Sequence, residues 1–171
     1  LSGEKNGYVS DEQASLGARL LAEATGTALL VMSVVGSGIM AQRLSPNDVG
    51  LQLLENAAAT VGALIALILA LGPGSGAHFN PIVSLVTRLF GGMSTRDLGL
   101  YSVVQIVGGC IGAMVANLMF ELDAINLSTK DRSSGALWLS EVVATLGLVL
   151  IIFGIVRSGR ASAVPYAVGV W

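Results

Sequence analysis

The sequence predicts an all-α membrane protein with one half-length helix that re-enters the bilayer, and three observations carry that prediction. Apolar residues make up 53% of the 171 and charged residues only 12%, against about 25% charged in a typical soluble domain. The charges sit at the ends of apolar runs of about 20 residues, the length that crosses a hydrocarbon core roughly 30 Å thick, and none lies between Glu55 and Arg88. One of those runs is stopped by Gly72-Pro73-Gly74 and followed by a second apolar run too short to cross a bilayer.

Taken in order, residues 1–18 form a polar tail in which Glu4, Asp11 and Glu12 mix with small residues. The membrane domain then occupies residues 19–171. Its first span runs from about Leu20 to Ala41, interrupted only by Glu23, and its Gly26, Gly36 and Gly38 suit close helix approach in lipid. A turn at Arg43–Gly50 follows, marked by Pro46-Asn47-Asp48. The second span covers about 56–71, the half-helix 81–90, the third span 98–120 and the fourth 136–156, with a polar loop from Glu121 to Gly135 between the last two. Residues 164–171 open a fifth span. The chain has no initiator Met and no cleavable signal pattern, so both ends read as cut.

Charge and cysteine usage exclude several function classes. A net charge of −2 argues against a nucleic-acid partner, which calls for a basic face. The single cysteine, Cys110, rules out a disulfide framework or thiolate cluster; its apolar setting suggests a small buried residue. One histidine offers no metal-ligand set, and no cofactor is implied. Six of the nine Lys and Arg residues (Lys5, Arg19, Arg88, Arg96, Arg157, Arg160) fall on one side of the spans, against Arg43, Lys130 and Arg132 on the other. The bias predicts a cytoplasmic N-terminus.

The richest segment is Gly72-Pro73-Gly74-Ser75-Gly76-Ala77-His78-Phe79-Asn80-Pro81-Ile82. Irregular backbone at membrane depth survives only where protein buries it or it lines a watery path. Asn80 can cap the free N–H groups of a helix start, and Pro81 at the first helical position loses nothing by lacking its own. The short helix would aim its positive end at whatever occupies the site.

The string from Ser75 to Pro81 resembles the first signature loop of the major intrinsic protein family, the aquaporins and glycerol facilitators. The resemblance extends over about residues 20–171: Glu23-Ala24-Thr25-Gly26-Thr27 in the first span, Gln105 with Gly108-Gly109 in the third, Glu141 in the fourth, and Pro165-Tyr166-Ala167-Val168-Gly169-Val170 opening the fifth. It implies an aquaporin-like right-handed helical bundle of bacterial type, present as the first repeat plus the start of a second. It also implies passive conduction of water or small uncharged solutes such as glycerol, a multi-pass location in the cell membrane, and a homotetramer when full length. Glu23 and Glu141, each early in a span, would begin two inverted repeats; the second Asn-Pro loop would lie beyond Trp171.

By the same resemblance Asn80, Pro81, Ile82 and the carbonyls of Gly76, Ala77 and His78 line the pore, with the His78 side chain pairing with Glu23. Glu23, Glu141 and Gln105 support the loops. Leu30 and Leu148, two turns after each Glu and on its face, line the pore or pack in the core. Counting back from Asn80 puts the filter position of the second span at Thr60, where water-specific members often carry Phe and glycerol facilitators Trp. Two departures stand out. Ile82 replaces the Ala of the usual Asn-Pro-Ala, and the small, polar Thr60 suggests a wider filter.

Other functions need residues this chain supplies poorly. A proton- or ion-coupled transporter would have to run on Glu23 and Glu141, since membrane-embedded carboxylates are costly and commonly functional. An intramembrane hydrolase built on Gly74-Ser75-Gly76 would need a base on another helix, whereas His78 lies three residues along the same loop.

Overall fold

The computed structural model describes residues 14–129, 131 and 133–171. Most of the polar tail, with Lys5, and also Lys130 and Arg132, therefore lie outside the described residues. All the regular secondary structure of the described residues is helical, without a strand: α1 Leu16–Leu44, α2 Val49–Ser75, α3 Pro81–Leu89, α4 Thr95–Met119, α5 Gly135–Arg157 and α6 Val164–Val170, the last entered through a single 3-10 turn at Ala161–Ala163. Four of these, α1, α2, α4 and α5, are long and apolar enough to span a membrane. The protein is a multi-pass helical membrane protein.

Side-chain caps set where the helices begin. Ser15 accepts from Ala18 N–H, Asp48 from Leu51, Asn80 from Ile82, Ser94 from Asp97 and Ser134 from Leu137, each satisfying a donor that the first turn leaves free. Helix α1 accordingly starts at Leu16, inside the expected tail, and α2 starts at Val49 directly after its Asp48 cap, seven residues before the expected edge of that span. Helix α2 also runs past the Gly72-Pro73-Gly74 expected to stop it. Pro73 removes one backbone hydrogen bond near the helix end, and the helix closes only at Gly76, whose left-handed φ of 91° lets its N–H reach Gly72 O at 2.9 Å.

Helix α1 is the hub, packing along both α2 and α4, while α6 lies on α2 and α5 and α3 touches α4 and α5. The α1–α4 contact is unusually close. A Cβ at Gly108 or Gly112 would run into the carbonyl oxygens of Ala24 and Ala28 respectively. In lipid, where apolar burial gives no drive for helix association, such small-residue contacts let backbones pack directly. The α1 glycines serve other neighbours: Gly26 meets the Phe79 ring, Gly36 lies 3.1 Å from the Phe120 ring and Gly38 lies 3.4 Å from the Asn56 amide, as measured from a Cβ built at each. Outward faces are apolar, with Val103, Ile106 and Leu150 all at least 60% exposed. Cys110, expected to be buried, is exposed on α4, because the buried face of that helix is taken by Tyr101, Gln105, Gly108, Gly112 and Ala116.

Candidate functional site

Between the end of α2 and the start of α3 the chain takes a conformation that L-residues avoid. Gly76, Ala77 and Phe79 have φ of 91°, 47° and 47°. For the two non-glycine residues the left-handed region costs of order 1–3 kcal/mol each, so surrounding contacts must hold them.

Glu23 on α1 provides most of that hold. Its side chain is fully buried, and its two oxygens accept four hydrogen bonds. Oε1 receives the Ser75 hydroxyl at 2.7 Å and the His78 N–H at 3.0 Å; Oε2 receives the Phe79 N–H at 2.8 Å and the Gln105 amide at 2.9 Å. A buried carboxylate is tolerable only when donors replace its water, and here the loop itself supplies three of the four. Ser75 Oγ in turn accepts the Ala77 N–H at 3.0 Å. The N–H groups of Ala77, His78 and Phe79 are thus all spent on side chains behind the loop. The carbonyls of Gly76, Ala77 and His78 accept no hydrogen bond among the described residues.

The His78 ring does not meet the Glu23 carboxylate, contrary to expectation. Its Nδ1 lies 2.9 Å from Ser84 Oγ and its Nε2 3.4 Å from Thr87 Oγ1, both one face of α3. Thr87 donates its proton to Val83 O at 2.8 Å, so a neutral ring donates from Nε2 and accepts the Ser84 hydroxyl at Nδ1. The ring braces α3, while Glu23 is already occupied by two backbone and two side-chain donors. Gln105 links the two clusters, giving its second amide proton to Ser84 Oγ at 3.2 Å, while its own buried oxygen has no partner among the described residues. Asn80 Oδ1 caps α3 through the Ile82 N–H at 2.8 Å, and its Nδ2 donates to nothing among the described residues.

These groups face a cavity of about 750 Å³. One wall is the loop, Gly76 through Asn80; the rest is largely aliphatic and aromatic, from Leu30 of α1, Leu64 and Ile68 of α2, Leu148, Ile152 and Phe153 of α5, and Val168 of α6. The loop residues whose three carbonyls and one amide group have no partner among the described residues thus line a largely apolar cavity, in a helical membrane protein whose loop is pinned from α1.

The family model for the major intrinsic proteins matches residues 11–171. The chain belongs to the major intrinsic protein family. It is 48% identical over 153 residues to aquaglyceroporin AqpS of Rhizobium meliloti, covering 90% of this chain and 65% of that protein. It is 30% identical over 164 residues to aquaporin Z of Brucella melitensis (88% and 71%), and 30% identical over 133 residues to the probable aquaporin NIP7-1 of Arabidopsis thaliana (77% and 47%). The chain therefore spans from about half to somewhat over two thirds of the length of these relatives. Its fold is the aquaporin-like helical membrane fold of the family.

Within this major intrinsic protein, Gly76, Ala77, His78, Asn80, Leu30 and Leu148 come together on the cavity wall. Ile82, Pro81 and Thr60 do not. Ile82 is 43% exposed and does not line the cavity. Thr60 donates its hydroxyl to Asn56 O at 2.8 Å within α2 and sits one turn before Leu64, where the cavity wall begins. Glu23 and Gln105 lie behind the loop as described, whereas Glu141 is exposed with no hydrogen-bond partner among the described residues.

Sequence reasoning missed Ser75, Ser84 and Tyr101 as loop contacts. A signal for Tyr101 was present: Asp97, Tyr101 and Gln105 recur every fourth residue of α4, as Arg19 and Glu23 do on α1, which puts each set on one helix face.

Proposed function

We propose that this chain belongs to a passive membrane channel for water and small uncharged solutes such as glycerol, and that it has no enzymatic activity. The observation that carries the reading is the polarity of the loop. Glu23 and Ser75 take every N–H from Ala77 to Phe79, which leaves the carbonyls of Gly76, Ala77 and His78 as acceptors and Asn80 Nδ2 as a donor on a cavity otherwise apolar. A solute shedding water there regains hydrogen bonds on one side only, and an ion would regain too few. Selectivity by pore-lining donors, acceptors and half-helix ends in aquaporin-type channels is the general principle.

The alternatives lack working groups. Glu23 is fully engaged by four donors, and neither it nor Glu141 lines the cavity, so neither carboxylate is placed to exchange a coupling ion there. The Ser75 hydroxyl is held between Glu23 and Ala77 N–H, with the His78 ring turned to Ser84. A homotetramer in the cell membrane, with a cytoplasmic N-terminus, completes the reading. Arg19, Arg88, Arg96, Arg157 and Arg160 at one end of the described helices and Arg43 at the other support that orientation.

The test is stopped-flow light scattering of liposomes carrying the full-length protein, under sucrose and glycerol gradients. Water or glycerol permeability well above protein-free vesicles, with no proton leak, is the expected result. Permeability equal to empty vesicles, or uptake that follows a proton gradient, would overturn it.

A further inference from the structure

We infer that Tyr101 is a positioning residue for the cavity loop, through which the surface pair Arg19–Asp97 acts on the direction of the loop carbonyls. The inference rests on the channel reading only for its flux readout.

Tyr101 is fully buried in α4 and is not on the cavity wall. Arg19 Nε donates to its hydroxyl oxygen at 3.0 Å. Arginine has no acceptor, so the single phenolic proton is free for another group, and Ser75 O lies 2.9 Å away to take it. The direction of both bonds is thereby settled. Arg19 is itself fixed from two sides, by the Asp97 carboxylate at 3.6 Å and by the Tyr101 ring, 5.4 Å below its guanidinium carbon.

Ser75 is the last residue of α2, where carbonyls run out of helical partners. Its carbonyl is held by Tyr101 while its hydroxyl bridges Glu23 and Ala77 N–H. Holding both the carbonyl and the side chain fixes the Ser75–Gly76 peptide plane, and the next two residues, Gly76 and Ala77, leave that plane in left-handed steps. A rotation of this one peptide would swing the Gly76 and Ala77 carbonyls off the cavity wall. Glu23 holds the loop at Ser75 Oγ and at the His78 and Phe79 N–H groups; Tyr101 alone holds the Ser75 carbonyl.

The experiment uses full-length protein in lipid nanodiscs and liposomes, with Tyr101→Phe, Arg19→Gln and the double variant. Phe keeps the ring beneath Arg19 and removes only the hydroxyl. Amide hydrogen exchange over residues 76–79 should accelerate about tenfold in Tyr101→Phe and by less in Arg19→Gln. Water permeability per channel should fall severalfold, with the double variant no worse than Tyr101→Phe alone, since Arg19 acts through the hydroxyl. Exchange within twofold of wild type in Tyr101→Phe, or permeability losses that multiply in the double variant, would overturn the inference. A wild-type protein that conducts nothing would defeat the channel reading while the exchange comparison still decides the role of Tyr101.

Discussion

The ring of Phe79 occupies the space where Gly26 would carry a Cβ. A methyl group there would overlap the ring edge, and the same Phe79 gives its backbone N–H to Glu23, three residues earlier on the same face of α1. One turn of α1 therefore grips both the backbone and the side chain of a residue whose φ is +47°. The loop is shaped less by its own preferences than by the surface that α1 presents to it.

Gly26→Ala should destabilise the folded protein by about 1–3 kcal/mol, the range for overpacking a filled site, because the ring can retreat only by dragging the loop. Gly17→Ala, at a position with nothing within 4 Å, should be neutral or slightly stabilising, since Ala is the better helix former. Thermal unfolding in detergent, monitored by circular dichroism, compares the two. Equal melting temperatures would mean that Phe79 adjusts freely.

Glu23→Gln keeps the volume but turns one acceptor oxygen into a donor facing donors. Leaving buried groups unpaired costs about 1–3 kcal/mol each, so folded yield and melting temperature should both drop. Any residual solute flux should show no new dependence on a proton gradient. A variant that folds as wild type and alters proton movement would instead point to a coupled transporter.

Gly112→Val should loosen the α1–α4 pair, because a side chain there strikes the Ala28 carbonyl. Gly99, on the same helix with open space beside it, supplies the control: Gly99→Ala should leave stability unchanged or improve it. Limited proteolysis of the solubilised protein reads the difference, with Gly112→Val cut faster than wild type and Gly99→Ala not.

Thr60 lies one turn beyond the described cavity wall, on the face that carries Leu64. Replacing it with Phe would extend that wall by a bulky apolar group and remove a hydroxyl. In the full-length protein, Thr60→Phe should reduce glycerol permeability severalfold more than water permeability. Parallel loss of both, or of neither, would remove Thr60 from the filter.

The four long apolar helices, the short helix after Asn80-Pro81 and the family were legible in contiguous residues, although the ends of α1 and α2 were not. Apolar run length sets what crosses a bilayer, and caps such as Asp48 and Asn80 act on N–H groups two or three residues away. Such information survives in a linear reading because cause and effect are neighbours in the chain. The partners across the loop were not legible in the same way. Ser75 meets Glu23 from 52 residues away and Gln105 meets it from 82, and which donors reach the carboxylate depends on how α1 and α4 are rotated about their own axes. The close glycine contact between those helices sets that rotation. It brought Gln105 to Glu23 and Tyr101 to the Ser75 carbonyl. A helix pattern names the face that is buried; only the packed bundle decides what that face touches.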